Sequence, residues 1–410
     1  MVSEAPPVST ERVFEIATEL LAVDTQNPPG ETRALAEWVD SFFTDLGLET
    51  ETVATDPVKP NVLTTIPGET ERTLLYNGHI DTVPFDADEW TYDPLGEREA
   101  DRLYGRGATD MKGPLAAMLH AAEAFVETDT TPPVTLAFAV VSDEETGGDA
   151  GVGTLLRREA VDADACVIGE TTCSRGQHSV TVADRGSIWL TLEAEGVSAH
   201  GSRPMLGENA IDRLWAAVTT LRTRLSDREL SLPADFERIL AESVTYYEPT
   251  MGEQQARRLF ARPTVNLGTI EGGESINTVP GTARAQLDIR LTAGIETSEI
   301  LADIRDCLAA YPAVSIADVS WSVGTYEPPD SPLVEAVTTV ASEAIGDRIF
   351  RRSATGGGDT KKFRKADIPT VEFAFGTDTV HAVDEYTTAA ALAANAAVYS
   401  RLPVVWADAV

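Results

Sequence analysis

Lysine is close to absent from this chain. Five lysines stand among 32 basic residues, against 66 aspartates and glutamates, and the formal net charge is −34 over 410 residues. So negative a field repels a phosphate backbone, which argues against nucleic acid as a partner. Cysteine is scarce too. Cys166, Cys173 and Cys307 are odd in number, irregularly spaced and free of any Cys-x-x-Cys pattern, so neither a disulfide framework nor a thiolate metal site is expected and the chain suits a reducing interior. No run approaches the roughly 18 apolar residues of a membrane span. The start, Met1-Val-Ser-Glu-Ala-Pro-Pro7, carries neither the basic cluster nor the apolar stretch of a leader. A cytoplasmic protein with no membrane partner is expected. Histidine is limited to five residues, so the place of each one carries information.

What is present is ordinary in bulk. A hydrophobic fraction of 43% over 410 residues is enough for two or three domains with a large core. The acidic excess is tolerable where salt screens self-repulsion to within a few ångströms, and together with the lysine depletion it points to a high-salt cytoplasm.

Hydrophobic periodicity sets out the organisation. Val13, Ile16, Leu20, Leu35, Trp38, Val39 and Phe42 recur at helical spacing on either side of Asn27-Pro-Pro-Gly30, which predicts two helices and a loop. Short apolar strands then alternate with helices: strand 73–78, helix 111–127, strand 134–141, helix 150–158 and strand 165–169. That alternation predicts an α/β fold with a largely parallel sheet flanked by helices, in which sites gather at the carboxyl ends of the strands. The pattern changes near Asp184. Strand 187–195, helix 208–224, strands 263–270 and 282–291 and helix 297–310 predict an inserted α+β unit of the ferredoxin-like kind over 185–296, with the charged stretch 225–262 as an insertion in it. Strand 314–322, helix 331–344, strand 369–374 and a final helix from Asp384 return to the first pattern. The larger domain is therefore expected over 1–184 and 297–410.

Glu144 and Glu145 stand side by side where the apolar strand 134–141 runs into Thr146-Gly-Gly148. Neighbours on an extended backbone point to opposite sides, so such a pair can divide two duties, one carboxylate holding a metal and the other moving a proton. Alone, the pair reads as a solvated turn; four other segments change that. His79-Ile-Asp81 ends a strand at a spacing that lets Asp81 orient the His79 imidazole. Asp110 follows the glycine turn Gly105-Arg-Gly107 at the start of a helix, Glu170 follows strand 165–169, and His381 precedes the last helix. Two histidines and three carboxylates suit zinc, cobalt or manganese. Five residues supply three ligands to each of two ions if one carboxylate bridges. Asp110 is the best placed to do so, with the ions about 3.5–4 Å apart.

In this order the motifs His79-x-Asp81, Gly-Arg-Gly-x-x-Asp110-Met-Lys-Gly, Asp-Glu144-Glu145-x-Gly-Gly, Gly-Glu170 and His381 resemble the co-catalytic metallopeptidases and deacylases that include acetylornithine deacetylase, succinyl-diaminopimelate desuccinylase and glutamate carboxypeptidase. The acidic, lysine-poor composition further resembles a halophilic archaeal member. The resemblance spans essentially the whole chain. It implies a zinc-aminopeptidase-like catalytic domain with an inserted lid and dimerisation domain. It also implies one ion on His79, Asp110 and Glu170 and a second on Asp110, Glu145 and His381, Glu144 as general base, and a cis peptide after Asp110. His200 in Gly196-Val-Ser-Ala-His200-Gly resembles the lid histidine that steadies the oxyanion in the partner subunit's site. Asn277, Arg290 and Gly357 resemble groups that bind substrate. Gly358-Asp359-Thr360 departs from the Ser/Thr-Ser-Asp type of ending there, which leaves substrate identity open.

The implied activity is metal-dependent hydrolysis of the amide in a small N-acyl amino acid, by a homodimer joined through the lid. A carboxypeptidase or dipeptidase acting on short peptides is the alternative. A third reading, an inactive metal- or peptide-binding protein, predicts a missing ligand or base, yet all stand in the sequence. His120 and His178 match no motif and read as structural, and Met111 and Met118 read as packing residues.

Overall fold

A computed structural model describes residues 5–172 and 176–410; Cys173 and the first four residues of the N-terminal segment lie outside the described residues. The chain divides into two units. One comprises residues 1–182, 327–352 and 358–410, the other residues 183–326 and 353–357.

The larger unit is built on an eight-stranded sheet. Its strands run in the order Thr50–Val53, Asn61–Ile66, Thr135–Val141, Thr73–His79, Ala165–Ile168, Thr370–Glu372, His178–Ala183 and Ile349–Ser353. The four strands from Thr135–Val141 to Thr370–Glu372 are mutually parallel, while the first two are antiparallel to their neighbours. Residue parity sends Tyr76 and Phe138 to one face, where Tyr76 meets Phe138 at 5.6 Å and Tyr399 at 5.4 Å between ring centroids. Tyr399 belongs to the helix Ala389–Ala407, which packs with Thr10–Leu21, Lys112–Glu127 and Pro332–Ile345. Leu75, Ala139, Val141, Cys166 and Ile168 turn the other way, against Val152 and Leu155 of Val152–Arg157 and Phe363 of Thr360–Lys365. Burying one such Leu or Phe contributes about 1.5–3 kcal/mol, so both faces hold the parallel strands in register.

Local signals set the helix ends. Ser9 accepts from the N–H of Arg12 at the start of Thr10–Leu21, and Ser331 with Pro332 opens Pro332–Ile345, which Gly346 ends in the left-handed conformation at φ 69°. The last helix begins at Ala389 rather than at Asp384. Residues Tyr386–Thr388 are held extended by antiparallel pairing with Arg102–Tyr104, and Thr388 caps the N–H of Ala391.

The smaller unit has a four-stranded antiparallel sheet in the order Thr264–Gly272, Thr282–Leu291, Gly186–Glu195, Val314–Ser322. Ile188, Leu190, Leu192, Ala285, Leu287 and Ile289 face a core shared with the helices Ala210–Asp227 and Thr297–Leu308. The strand 314–322, assigned from sequence to the larger domain, is the fourth strand here, so the change of unit falls at Tyr326 and not near residue 296. A ferredoxin-like sheet is incomplete without that strand, whose pairing partner Gly186–Glu195 lies more than a hundred residues earlier. The charged stretch 225–262 contains two helices, Ala234–Met251 and Glu253–Ala261. Among the described residues no helix is long and apolar enough to cross a membrane, and Cys166 and Cys307 are free and buried.

Candidate metal centre

The parallel strands deliver the donors to one rim of the larger unit. His79 is the last residue of Thr73–His79, Glu170 lies two residues beyond Ala165–Ile168, and Glu144 and Glu145 follow Thr135–Val141 in the next turn. Asp110 sits in the loop before Lys112–Glu127 and is joined to Met111 by a cis peptide, as the resemblance implied. His381 lies between Thr370–Glu372 and Tyr386–Thr388 at φ 61°, a conformation a histidine adopts at a cost.

Asp110 divides its two oxygens. Its Oδ1 lies 3.3 Å from His79 Nε2, which is 3.4 Å from Glu170 Oε1. Its Oδ2 lies 3.1 Å from His381 Nε2, which is 3.2 Å from Glu145 Oε2. Charge-assisted hydrogen bonds between such groups are closer, at about 2.7–2.9 Å. Two ligands held at about 2.0–2.1 Å by a tetrahedral ion stand about 3.3–3.4 Å apart. Asp110 Oδ1 is moreover buried with no hydrogen-bond partner. Donor chemistry, spacing and this orphaned oxygen all fit divalent metal. Looser proximity does not partition the donors. His79, Asp110 and Glu145 each offer an atom within 4.8 Å of the others, and so do His79, Glu144 and Glu170; the closer contacts at Asp110 separate them.

Electrostatics reflect a cluster in which carboxylates outnumber imidazoles. Burial would depress His79, but the carboxylates of Asp110, Asp81 and Glu170 raise it well above its usual value. Asp110 and Glu145 raise His381 to about 10. Burial pushes Glu144 up to about 8, with Asp359, Asp110 and Glu145 adding to the effect and His79 opposing it; burial and Asp110 likewise raise Glu170. A cluster that raises the proton affinity of its imidazoles and of Glu144 and Glu170 in this way is chemically suited to a divalent cation.

Asp81 organises the rim. Burial would raise its carboxyl, but His79, Asn27 and the N–H of Glu144 hold it down at about 2. Its Oδ1 and Oδ2 accept from the N–H groups of Glu144 and Glu145, each at 3.1 Å. The His79 Nδ1 lies 2.9 Å from the Asp81 carbonyl oxygen, which leaves Nε2 facing Asp110 and Glu170. Asn27 donates to Asp81 at 2.8 Å and to Asp143 at 3.1 Å. In the sequence Asn27 served only to mark a helix break.

Nothing in the local sequence marks Glu385 either, although it ends the segment that carries His381. Its Oε1 accepts from the N–H groups of Gly107, Thr109 and Asp110 at 3.0–3.2 Å, and Oε2 pairs with Arg106 at 2.7 Å. Both side chains are buried. Glu385→Gln is expected to lower unfolding free energy by about 3–5 kcal/mol, because Arg106 keeps a buried charge without its partner. Urea unfolding of the metal-free protein measures this, and a change below about 1 kcal/mol would contradict it.

The remaining candidates fall in the smaller unit. His200 pairs with Thr278 in an isolated bridge and its Nδ1 lies 2.8 Å from Ser202 Oγ. Asn277 accepts from Ser275 Oγ at 2.8 Å. Arg290 is paired with Asp288 at 2.8 Å, and Gly357 ends the segment 353–357. The fold brings His200 and Asn277 together, since the N–H of Gly201 donates to the carbonyl of Asn277. His120 is structural: Nε2 accepts from the N–H of Ser9 and Nδ1 meets Glu123, both at 2.9 Å. His178 packs edge-on to Phe375 at 5.1 Å. Met111 packs between Gly78 and Gly169, where an added Cβ would approach its Cε to 2.7 Å.

A mixed sheet with imidazoles and carboxylates gathered at the ends of its parallel strands, and a separate four-stranded antiparallel unit, define a metal-dependent hydrolase of amide bonds. The chain belongs to peptidase family M20/M25/M40, whose profile matches residues 75–404. It is 32% identical over 344 residues to the succinyl-diaminopimelate desuccinylase of Cereibacter sphaeroides, covering 81% of this chain and 82% of that protein. An M20 family metallo-carboxypeptidase from Sulfolobus solfataricus has the same fold, with a TM-score of 0.78 at 19% identity over 97% of this chain and 99% of that one. A dinuclear metal-binding M20 peptidase from Bacillus subtilis aligns with a TM-score of 0.70 at 14% identity, over 98% and 99% of the two chains.

Proposed function

We propose that this protein hydrolyses the amide bond of a small N-acyl amino acid, as a cytoplasmic homodimer carrying two divalent ions, with zinc the first choice and cobalt or manganese the others. The observation that carries the two-ion reading is the division of Asp110, one oxygen toward His79 and Glu170 and the other toward His381 and Glu145. When bound, such ions supply Lewis acidity toward the acyl carbonyl and acidify a water. Glu144 takes the proton of the attacking water and delivers it to the departing amine nitrogen. Its neighbour Glu145 would hold metal, so that the backbone would set the distance between proton acceptor and ion. Asp81 orients His79 and anchors both glutamate N–H groups. His200 is proposed to steady the developing oxyanion, while Asn277, Arg290 and Gly357 bind the substrate, Arg290 through its bidentate fork to a carboxylate.

The acyl amino acid is favoured over a peptide by the 32% identity to a desuccinylase. The dimer is supported by the exposed Trp189, Met205, Leu206, Trp215, Ile276 and Trp321, all within the smaller unit, an accumulation typical of association surfaces. The net charge of −34 supports a high-salt setting. Incubation of the zinc, cobalt or manganese form with N-acetyl-ornithine, N-succinyl-diaminopimelate and dipeptides in molar salt is expected to release acetate or succinate. Free amino acids from the dipeptides, without acyl release, would replace this reading with the peptidase.

A further inference from the structure

Of the five lysines in the chain, three bond segments that border the candidate metal centre. Lys112 follows Asp110-Met111 and donates to the carbonyl of Val23 at 2.8 Å. The other two grip opposite ends of the turn that carries Glu144 and Glu145. Lys59 pairs with Asp143 at the start of the turn. Lys362 donates to the carbonyl of Gly148 at 2.9 Å and pairs with Asp359 at 2.8 Å. In a chain that uses arginine for nearly every positive charge, the placing of two lysines on one turn calls for a local reason. An ammonium has three donors on a point charge, so it can serve a carboxylate and a carbonyl on different segments at once.

The turn between those grips is closely packed. A Cβ on Gly148 would lie 1.8 Å from Asp143 Oδ2, and one on Gly151 would lie 2.0 Å from the Ser142 carbonyl oxygen. The segment bearing Lys362 also passes beside the Glu144 side chain, since a Cβ on Gly358 would lie 2.9 Å from Glu144 Oε1. Next to it, Asp359 is 4% exposed. A buried carboxylate so placed needs a cation partner, and Lys362 is that partner.

We propose that residues 358–362 form a positioning wall for Glu144. Gly358 leaves the space that the Glu144 carboxyl group occupies, and Lys362 ties the wall to the turn by holding Asp359 and the Gly148 carbonyl together. Lys362 and Gly358 are positioning residues, acting through Glu144. The proposal rests on Glu144 as the proton carrier. It also gives a physical meaning to the Gly358-Asp359-Thr360 sequence, the point at which this chain departs from the motif it otherwise resembles: a side chain at residue 358 would press directly on the base.

The test compares Lys362→Met, Lys362→Arg, Lys362→Met with Asp359→Asn, Gly358→Ala and Glu144→Gln in metal-loaded protein. The substrate is whichever N-acetyl or N-succinyl amino acid turns over fastest. Readouts are kcat, KM and bound metal by atomic emission. Lys362→Met is expected to lower kcat about 10- to 100-fold, the scale of a displacement near 1 Å at a reacting group, with KM and metal content unchanged. Lys362→Arg, which keeps the charge and its donors, should recover about tenfold of that loss, whereas the double variant, which still lacks the tie to Gly148, should not; recovery in the double variant would assign the loss to an unpaired buried carboxylate and overturn the tie. Gly358→Ala should lower kcat on a similar scale with an unchanged melting temperature. A kcat within twofold of the parent in Lys362→Met, or a kcat loss that follows metal loss, overturns the proposal. Activity retained in Glu144→Gln instead overturns the assignment of Glu144, a distinct failure.

Discussion

Glu144→Ala keeps its metal and loses on the order of 10³-fold or more in turnover, the expected cost of removing a positioned acid–base group. The contacts at Asp110 that are proposed to bear metal involve His79, Glu170, His381 and Glu145, and Glu144 is in none of them. Losing its carboxyl therefore removes proton transfer and leaves coordination. Measurement of kcat beside metal content decides it, and metal loss with turnover retained would reverse the assignment. Exchanging Glu144 and Glu145 in identity changes nothing chemically, but moving a carboxylate by one methylene at either place does. The same variant tests the dimer. Mixed with His200→Ala subunits it should regain part of the activity if His200 serves the partner's site, and no recovery in a verified mixed dimer counts against that.

Asp110→Ala has the larger structural consequence. Each of its oxygens faces a different histidine, so on the proposed two-ion reading one substitution takes a ligand from both ions, whereas Glu170→Ala or Glu145→Ala takes one from a single ion. Activity should fall below detection and bound metal from two ions to fewer than one. Stability provides a second readout. A metal that binds only the folded state stabilises it by about 4 kcal/mol at a thousandfold excess over Kd, so the parent's melting temperature should rise sharply with added zinc and that of Asp110→Ala should not. The metal-free variant should melt no higher than the metal-free parent, because His79 and His381 hold the Asp110 carboxyl below its usual range against the effect of burial, and that favourable pairing is lost. A metal-dependent rise equal to the parent's would refute the bridging assignment.

Much of the centre is legible as local motifs, because each donor follows its own strand or glycine turn by a few residues and the strand periodicity gives the end of each strand. Residues that act across long separations are not. Asn27 joins Asp81 to Asp143 across 116 residues of chain, and Arg106 meets Glu385 across 279. Asn27 looks like a loop residue and Glu385 like one more acid in an acidic protein. The strand 314–322 has the right pattern for either sheet. Only its pairing with Gly186–Glu195 assigns it to the smaller unit.

The amino-acid sequence by itself determined the donor chemistry: two imidazoles and a set of carboxylates in an order that follows successive strand ends, with the proposed proton carrier adjacent in sequence to a proposed ligand. Donor type is a property of the side chain and strand-end placement follows from short-range periodicity, so neither needs a long-range contact. The tertiary structure alone decided which oxygen of Asp110 faces which histidine, which residues clamp the Glu144–Glu145 turn, and where one unit gives way to the other. Those are contacts of 2.9–3.3 Å between segments tens to hundreds of residues apart, set by parallel strands and helices packing into one register. A linear pattern contains no measure of them.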